Sequence, residues 1–211
     1  MHSIFDLELQ HADVDSKIAA ALERLAQAFR VLLWEQAKAH NLSPIQIQIL
    51  VYLLYHSSSP QRTMGHIARE FTLTPATVSA AVQVLESKRL LKRTALPKDR
   101  RVSVVTLTPT GRKLARQLST WANVMQAHIG ALDDSKKLVV QDFLMQLIDA
   151  LQRAGIISVA RMCLSCKFFQ PDVHPDRAEP HHCQLMDRPL GAATLRLDCP
   201  EHELRTSDGR A

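Results

Sequence analysis

Two short amphipathic segments lie back to back near the middle of the chain, and two strand-like runs joined by a charged loop follow them directly. Thr63 to Phe71 carries Met64, Ile67 and Phe71 at helical spacing. After Thr72-Leu73, Thr74-Pro75 opens a second segment in which Val78, Val82 and Leu85 share one face, while Thr77, Ser79, Ala80 and Gln83 fall on others. LLKRTAL and RVSVVTL, rich in Val, Leu and Thr, then read as a hairpin around the loop Pro97-Lys98-Asp99-Arg100-Arg101. A helix pair alone also packs ordinary cores. A helix pair followed by a basic-tipped hairpin is a far smaller set of folds.

The flanking segments are helical in pattern. Ser16 to about His40 repeats Ile18, Leu22, Leu25, Phe29, Leu32 and Leu33, and Asn41 closes it. Ser43-Pro44 starts a second helix through Ile45, Ile49, Leu50, Leu53 and Leu54 to His56, serine suiting the N-cap and proline the first turn. Thr108-Pro109 begins a long helix through Leu114, Leu118, Trp121, Val124 and Met125, and Asp133-Asp134-Ser135 caps another that ends near Gly155. From residue 160 onward prolines, histidines and all four cysteines replace helical periodicity, marking a small loop-rich module. The expected architecture is mainly α, with residues 1–157 and 158–211 as separate modules.

Charge is concentrated where the hairpin lies. Residues 60 to 116 hold 12 Lys and Arg against Glu70, Glu86 and Asp99, a local +9 inside a chain whose total is +5. Such a run is often only a solvated face, but here it coincides with the helix pair. Thr77, Ser79 and Gln83 are short polar side chains suited to base edges in a major groove. Lys88, Arg89, Lys92, Arg93, Lys98, Arg100 and Arg101 suit phosphates or the minor groove.

The stretches IAREFTLTPATVSAAVQVLESKRLLKR and PKDRRVSVVTLTPTG resemble the MarR family of winged helix regulators, a likeness covering about residues 13 to 155. It implies a winged helix-turn-helix with long dimerisation helices, a homodimer, and two recognition helices on a pseudo-palindromic double-stranded DNA operator. By the same resemblance Asp99 orients a wing arginine, so that Arg101 enters the minor groove with Arg100 nearby. Arg89 stands where the family usually has glycine. Arginine in a left-handed cap costs on the order of 1 kcal/mol, so the turn is either strained or rebuilt.

The tail reads Cys163-x2-Cys166-x16-Cys183-x15-Cys199. The opening residues MHSIFDLELQHADVDSK lack the basic start and apolar run of a signal peptide or membrane span, which points to the cytoplasm. In a reducing compartment clustered cysteines are better metal ligands than disulfides. Four thiolates satisfy either a tetrahedral zinc or the four irons of a cubane. Structural zinc often uses two paired knuckles, whereas one pair followed by two lone cysteines leans toward iron-sulfur. His174, His181, His182 and His202 are possible substitutes for a cysteine ligand. The segment CLSCKFFQPDVHPDRAEPHHCQL with Cys199 is similar to the cluster-binding part of high-potential iron-sulfur proteins. That likeness implies a 4Fe-4S cluster on Cys163, Cys166, Cys183 and Cys199, shielded by Phe168, Phe169 and Leu185, with zinc as the alternative.

Three functions are compatible with this layout. The leading one is an operator-binding regulator switched by its cluster through redox change, oxygen or iron supply. The second is a regulator with structural zinc that answers to a small organic ligand. The third is an electron carrier with a helical scaffold, which leaves the +9 segment and the wing without a role. No nucleophile-base pair, phosphate loop or substrate carboxylate pair is visible, so an enzyme is not expected.

Overall fold

The computed structural model describes residues 3–56, 60–96 and 99–205. The chain divides into two compact units, one of Met1–Ile67 with Pro75–Ala127, the other of Ala68–Thr74 with His128–Ala211.

In the first unit a short α1 (Leu7–Ala12) precedes α2 (Val14–His40). The Asp13 carboxylate accepts the Ser16 N–H at 2.8 Å, so α2 starts two residues earlier than its apolar pattern suggests. Asn41 ends it in the left-handed conformation (φ 52°), as expected of a residue that tolerates that region. Ser43 and Gln46 form a reciprocal capping box at the start of α3 (Pro44–Tyr55). Gln46 is thereby the satisfied polar group in a helix whose Ile47, Ile49, Leu50 and Leu53 are fully buried.

A single 3-10 turn at Pro60–Arg62 leads to α4 (Met64–Glu70), and after the turn α5 (Pro75–Ser87) follows. Val78, Val82 and Leu85 are buried as their spacing requires. β1 (Leu91–Leu96) pairs antiparallel with β2 (Asp99–Leu107), Leu91 opposite Leu107 and Arg93 opposite Val105. Thr63 adds an isolated bridge to Val104, a third strand reduced to one residue. No periodic pattern exists at one residue, and the sequence carries no sign of it.

Arg89 answers the question raised by the missing glycine. It keeps the left-handed cap (φ 56°), its N–H donating to the Glu86 carbonyl at 2.8 Å and that of Leu90 to Leu85 at 2.9 Å. The turn is strained, not rebuilt. Arg89→Gly relieves roughly 1–2 kcal/mol of left-handed strain and loses part of it to backbone entropy. A net gain of about 0.5–1 kcal/mol is expected, read as a higher urea midpoint.

The long helix expected after Thr108 is two helices, α6 (Pro109–Leu118) and α7 (Asn123–Gly130). Ser119 Oγ donates to the Arg116 carbonyl at 2.9 Å and Thr120 Oγ1 to that of Gln117 at 3.0 Å. Adjacent hydroxyls that bond the preceding turn offer the backbone an alternative to helix continuation, and apolar periodicity does not register this. Trp121, in the break, meets Phe29 of α2 edge to face at 5.9 Å.

In the second unit α8 (Asp134–Arg153) starts at Asp133, whose carboxylate pairs with Lys136 at 3.0 Å and makes no capping bond. Gly155 (φ 73°) follows its C-terminus. α8 packs Met145 and Ile148 against Ala160, Met162, Leu164 and Leu195, and Gln141 donates to the Ala192 carbonyl at 3.0 Å. The cysteine segment forms a sheet of very short strands in the order β3 (Phe169–Gln170), β4 (His181–Cys183), β5 (Arg188–Leu190). Among the described residues no helix is long and apolar enough to cross a membrane.

Candidate nucleic-acid interface and metal centre

On α5 the inward face is committed to the core, which leaves the opposite face free of packing demands. Thr77 and Gln83 stand exposed there and Ser79 is half-buried. Arg93 is turned to a structural partner. Its Nε lies 3.1 Å from the Glu86 carboxylate, which also accepts the Arg93 backbone N–H at 3.2 Å. Lys98 lies outside the described residues. Asp99, Arg100 and Arg101 belong to β2 and not to the hairpin loop, because β1 extends to Leu96, which pairs with Asp99 across a register irregularity after Ala95.

The join from wing to α6 is built on Thr108. Its hydroxyl accepts the Gly111 N–H at 3.0 Å and lies 2.8 Å and 3.1 Å from the carbonyls of Arg89 and Leu90. The sharp strand-to-helix turn thus locks the end of the wing to the end of α5's cap.

All four cysteines come together. Cys163, Cys166, Cys183 and Cys199 line one pocket with Phe168, Phe169, Leu185, Met186 and Leu190, and with the charged Arg188, Arg196 and Glu201. The Cys163–Ser165 3-10 turn forms the knuckle, closed by the Cys166 N–H on the Cys163 carbonyl at 3.0 Å. Sheet register brings Cys183 opposite Phe169, and the Arg161 carbonyl receives the Cys199 N–H at 2.8 Å. Cys163, Cys166, Phe169 and Leu190 form a buried cluster.

Two donors from Arg196 face the sulfurs. Its backbone N–H reaches Cys163 Sγ at 3.2 Å and its guanidinium reaches Cys199 Sγ at 3.4 Å. Burial, and secondarily the three neighbouring thiols, push the Cys163 thiol up, while the Arg196 N–H opposes them. Arg196 carried no sequence signal, since a lone arginine in a loop matches no motif.

None of the four histidines lines the pocket. His202 bonds Ser165 Oγ through Nε2 at 3.0 Å, and His174 bonds His182 at 3.1 Å. Among the described residues no group of three or more His, Cys, Asp or Glu side chains is arranged to hold a metal ion. The donor set at this pocket is four thiols, a type that suits either a tetrahedral zinc or a polynuclear iron-sulfur centre.

Arg161, also unforeseen, sits between Glu70 and Asp198, with contacts of 2.8 Å and 2.7 Å. Burial pulls its pKa down, but the hydrogen bonds it donates to both carboxylates outweigh this and the net shift is upward.

Helix, turn, recognition helix and basic hairpin in this geometry define a winged helix DNA-binding transcription regulator. A family model described as the MarR family matches residues 40–102. The HTH-type transcriptional regulator YhbI of Bacillus subtilis strain 168 is 30% identical over 113 residues, spanning 52% of this chain and 71% of that one. The HTH-type transcriptional repressor NicR of Pseudomonas putida KT2440 is 25% identical over 144 residues, spanning 68% and 89%. Over 64% of its length the chain is similar in fold to the Staphylococcus aureus MepR–DNA complex (TM-score 0.55, 21% identity, 97% of that chain). The chain belongs to the MarR family.

Proposed function

We propose that this regulator binds a double-stranded operator as a homodimer and that its affinity follows the state of a 4Fe-4S cluster held by Cys163, Cys166, Cys183 and Cys199. The single observation that carries the cluster is the convergence of all four thiols on one apolar-walled pocket. In this reading residues 1–157 bind DNA and dimerise, residues 158–211 bind the metal centre, and the protein works in the cytoplasm.

When bound, such a cluster supplies a centre whose charge and integrity respond to oxygen, redox change and iron supply. The chain's own residues prepare for it. Arg196 sets an N–H and a guanidinium against thiolate charge, and Phe168, Phe169 and Leu185 restrict water at the pocket wall. On the DNA side Thr77, Ser79 and Gln83 meet base edges. Arg100 and Arg101 serve the minor groove beside Asp99, Lys98 meets phosphate, and Arg93 fixes the base of the wing through Glu86. Dimerisation is supported by Ile18, Leu25 and Phe29, the apolar face of α2 that stays exposed in a single chain.

Anaerobic purification tests the centre. A brown protein with stoichiometric iron and sulfide supports the cluster, and a colourless one with a single zinc per chain replaces it with the structural-zinc reading. A duplex selected by the protein from a random pool, titrated with cluster-loaded and cluster-free protein, tests the switch; coincident curves reject it. For the wing, Arg101→Ala should weaken that binding about tenfold or more at moderate salt, and an unchanged affinity would sink the assignment.

A further inference from the structure

We propose that Arg161 is a positioning residue that couples the cysteine pocket to the turn between α4 and α5. The inference rests on the reading of that pocket as the signal-receiving site, and extends it to how the signal leaves.

Arg161 grips two carboxylates from different parts of the chain. Nη1 and Nη2 meet Glu70 Oε2 and Oε1 at 2.8 Å and 3.1 Å, while Nε and Nη2 meet Asp198 Oδ1 and Oδ2 at 2.7 Å and 3.3 Å. Glu70 is the last residue of α4, and only four residues separate it from Pro75, the first of α5. Asp198 immediately precedes Cys199, and Arg161 stands two residues before Cys163. The backbone repeats the link, because the Arg161 carbonyl accepts the Cys199 N–H at 2.8 Å. Arg161 is therefore attached by main chain or side chain to two of the four cysteines and by its fork to the end of α4.

A second contact runs beside it. Thr72 Oγ1 lies 3.3 Å from Ser158 Oγ, and Thr72 itself holds a left-handed turn (φ 51°) in which the Leu73 N–H donates to the Ala68 carbonyl at 2.8 Å. Residues 68 to 74 accordingly belong to the compact unit of the cysteine segment, while α5 belongs to the other.

The Arg161 and Glu70 side chains are only 12% and 17% exposed. A shift of Cys199 that carries Asp198 away leaves the guanidinium to follow one carboxylate or the other. Stranding Glu70 unpaired at that depth is unfavourable, so movement passes into the turn instead of being absorbed at the surface. The turn then sets where α5 begins. This is a contiguous chain of named contacts from the cysteines to the turn that precedes α5, with two carboxylates held by one guanidinium.

The test uses the full-length protein, in cluster-loaded and metal-free forms, with amide hydrogen exchange at Thr72 and Leu73 as the readout. Loading should change exchange there by about threefold or more in the wild type. Glu70→Gln should abolish that response while iron and sulfide content and the visible spectrum stay as in the wild type, and Arg161→Lys, which keeps the charge and loses the double fork, should do the same. A Glu70→Gln turn that responds to loading like the wild type overturns the coupling, as does a wild-type turn that does not respond. A responsive turn with identical operator affinity in both forms upholds the coupling and removes only the sensing reading. If the chain takes up zinc and no sulfide, the same comparison between zinc-loaded and metal-free protein decides the coupling.

Discussion

Gly111→Ala is expected to destabilise the DNA-binding unit by more than about 3 kcal/mol, beyond the usual range for overpacking, because the new methyl has nowhere to go. A Cβ at position 111 would lie 1.7 Å from the Leu90 carbonyl oxygen and 2.7 Å from its carbon. Both are backbone atoms, so no side chain can swing aside. The same carbonyl accepts the Thr108 N–H at 3.1 Å, and Leu90 and Leu91 are buried. Relief would require pulling α6 away from the end of the wing, giving up the Thr108 bonds to Arg89 and Leu90. Urea unfolding followed by circular dichroism measures it. A variant within about 1 kcal/mol of wild type would show that the join is looser than these contacts describe.

Cys199→Ser is expected to abolish binding of the proposed metal centre while leaving the DNA-binding unit folded. Serine keeps the volume but its hydroxyl is a hard, weakly acidic donor, a poor replacement for a thiolate that must share iron with sulfide. Of the four proposed ligands, Cys199, like Cys183, is only partly buried, whereas Cys163 and Cys166 are buried among Phe169 and Leu190, so a change at Cys199 disturbs packing least. Iron and sulfide per chain should fall about tenfold or more, and operator affinity should stop depending on whether iron and sulfide are supplied. Retention of a full complement of iron and sulfide would remove Cys199 from the ligand set.

Much of the helical part is legible in local chemistry. Ser43 as an N-cap before Pro44, Asn41 as a helix end and the Val78, Val82, Leu85 face are features whose energetics lie within a few residues of chain, so spacing and residue type suffice to find them. Expectations failed where a short-range hydroxyl or a long-range pairing competed with periodicity. Ser119 and Thr120 divided a helix that Leu114, Leu118 and Trp121 suggested was continuous. Pairing of Leu96 with Asp99 drew Asp99, Arg100 and Arg101 out of the loop and into β2. Arg93, expected on phosphate or in the minor groove, also meets Glu86 seven residues away, a pairing visible only once strand follows helix at a definite angle.

By itself the sequence determined the order of helices, the winged hairpin, the position of its basic charge and the identity of the four thiols, because each follows from periodicity, capping or residue chemistry. Only the tertiary structure decided that those thiols share one pocket, that Arg196 faces two of them, and that α8 packs on the cysteine segment through Met145 and Ile148. It alone joined Glu70 to Arg161 across 91 positions of chain. Such contacts leave no trace in local pattern, since an isolated arginine or glutamate reads as surface until folding brings its partner within hydrogen-bonding reach and excludes the water that would otherwise solvate both.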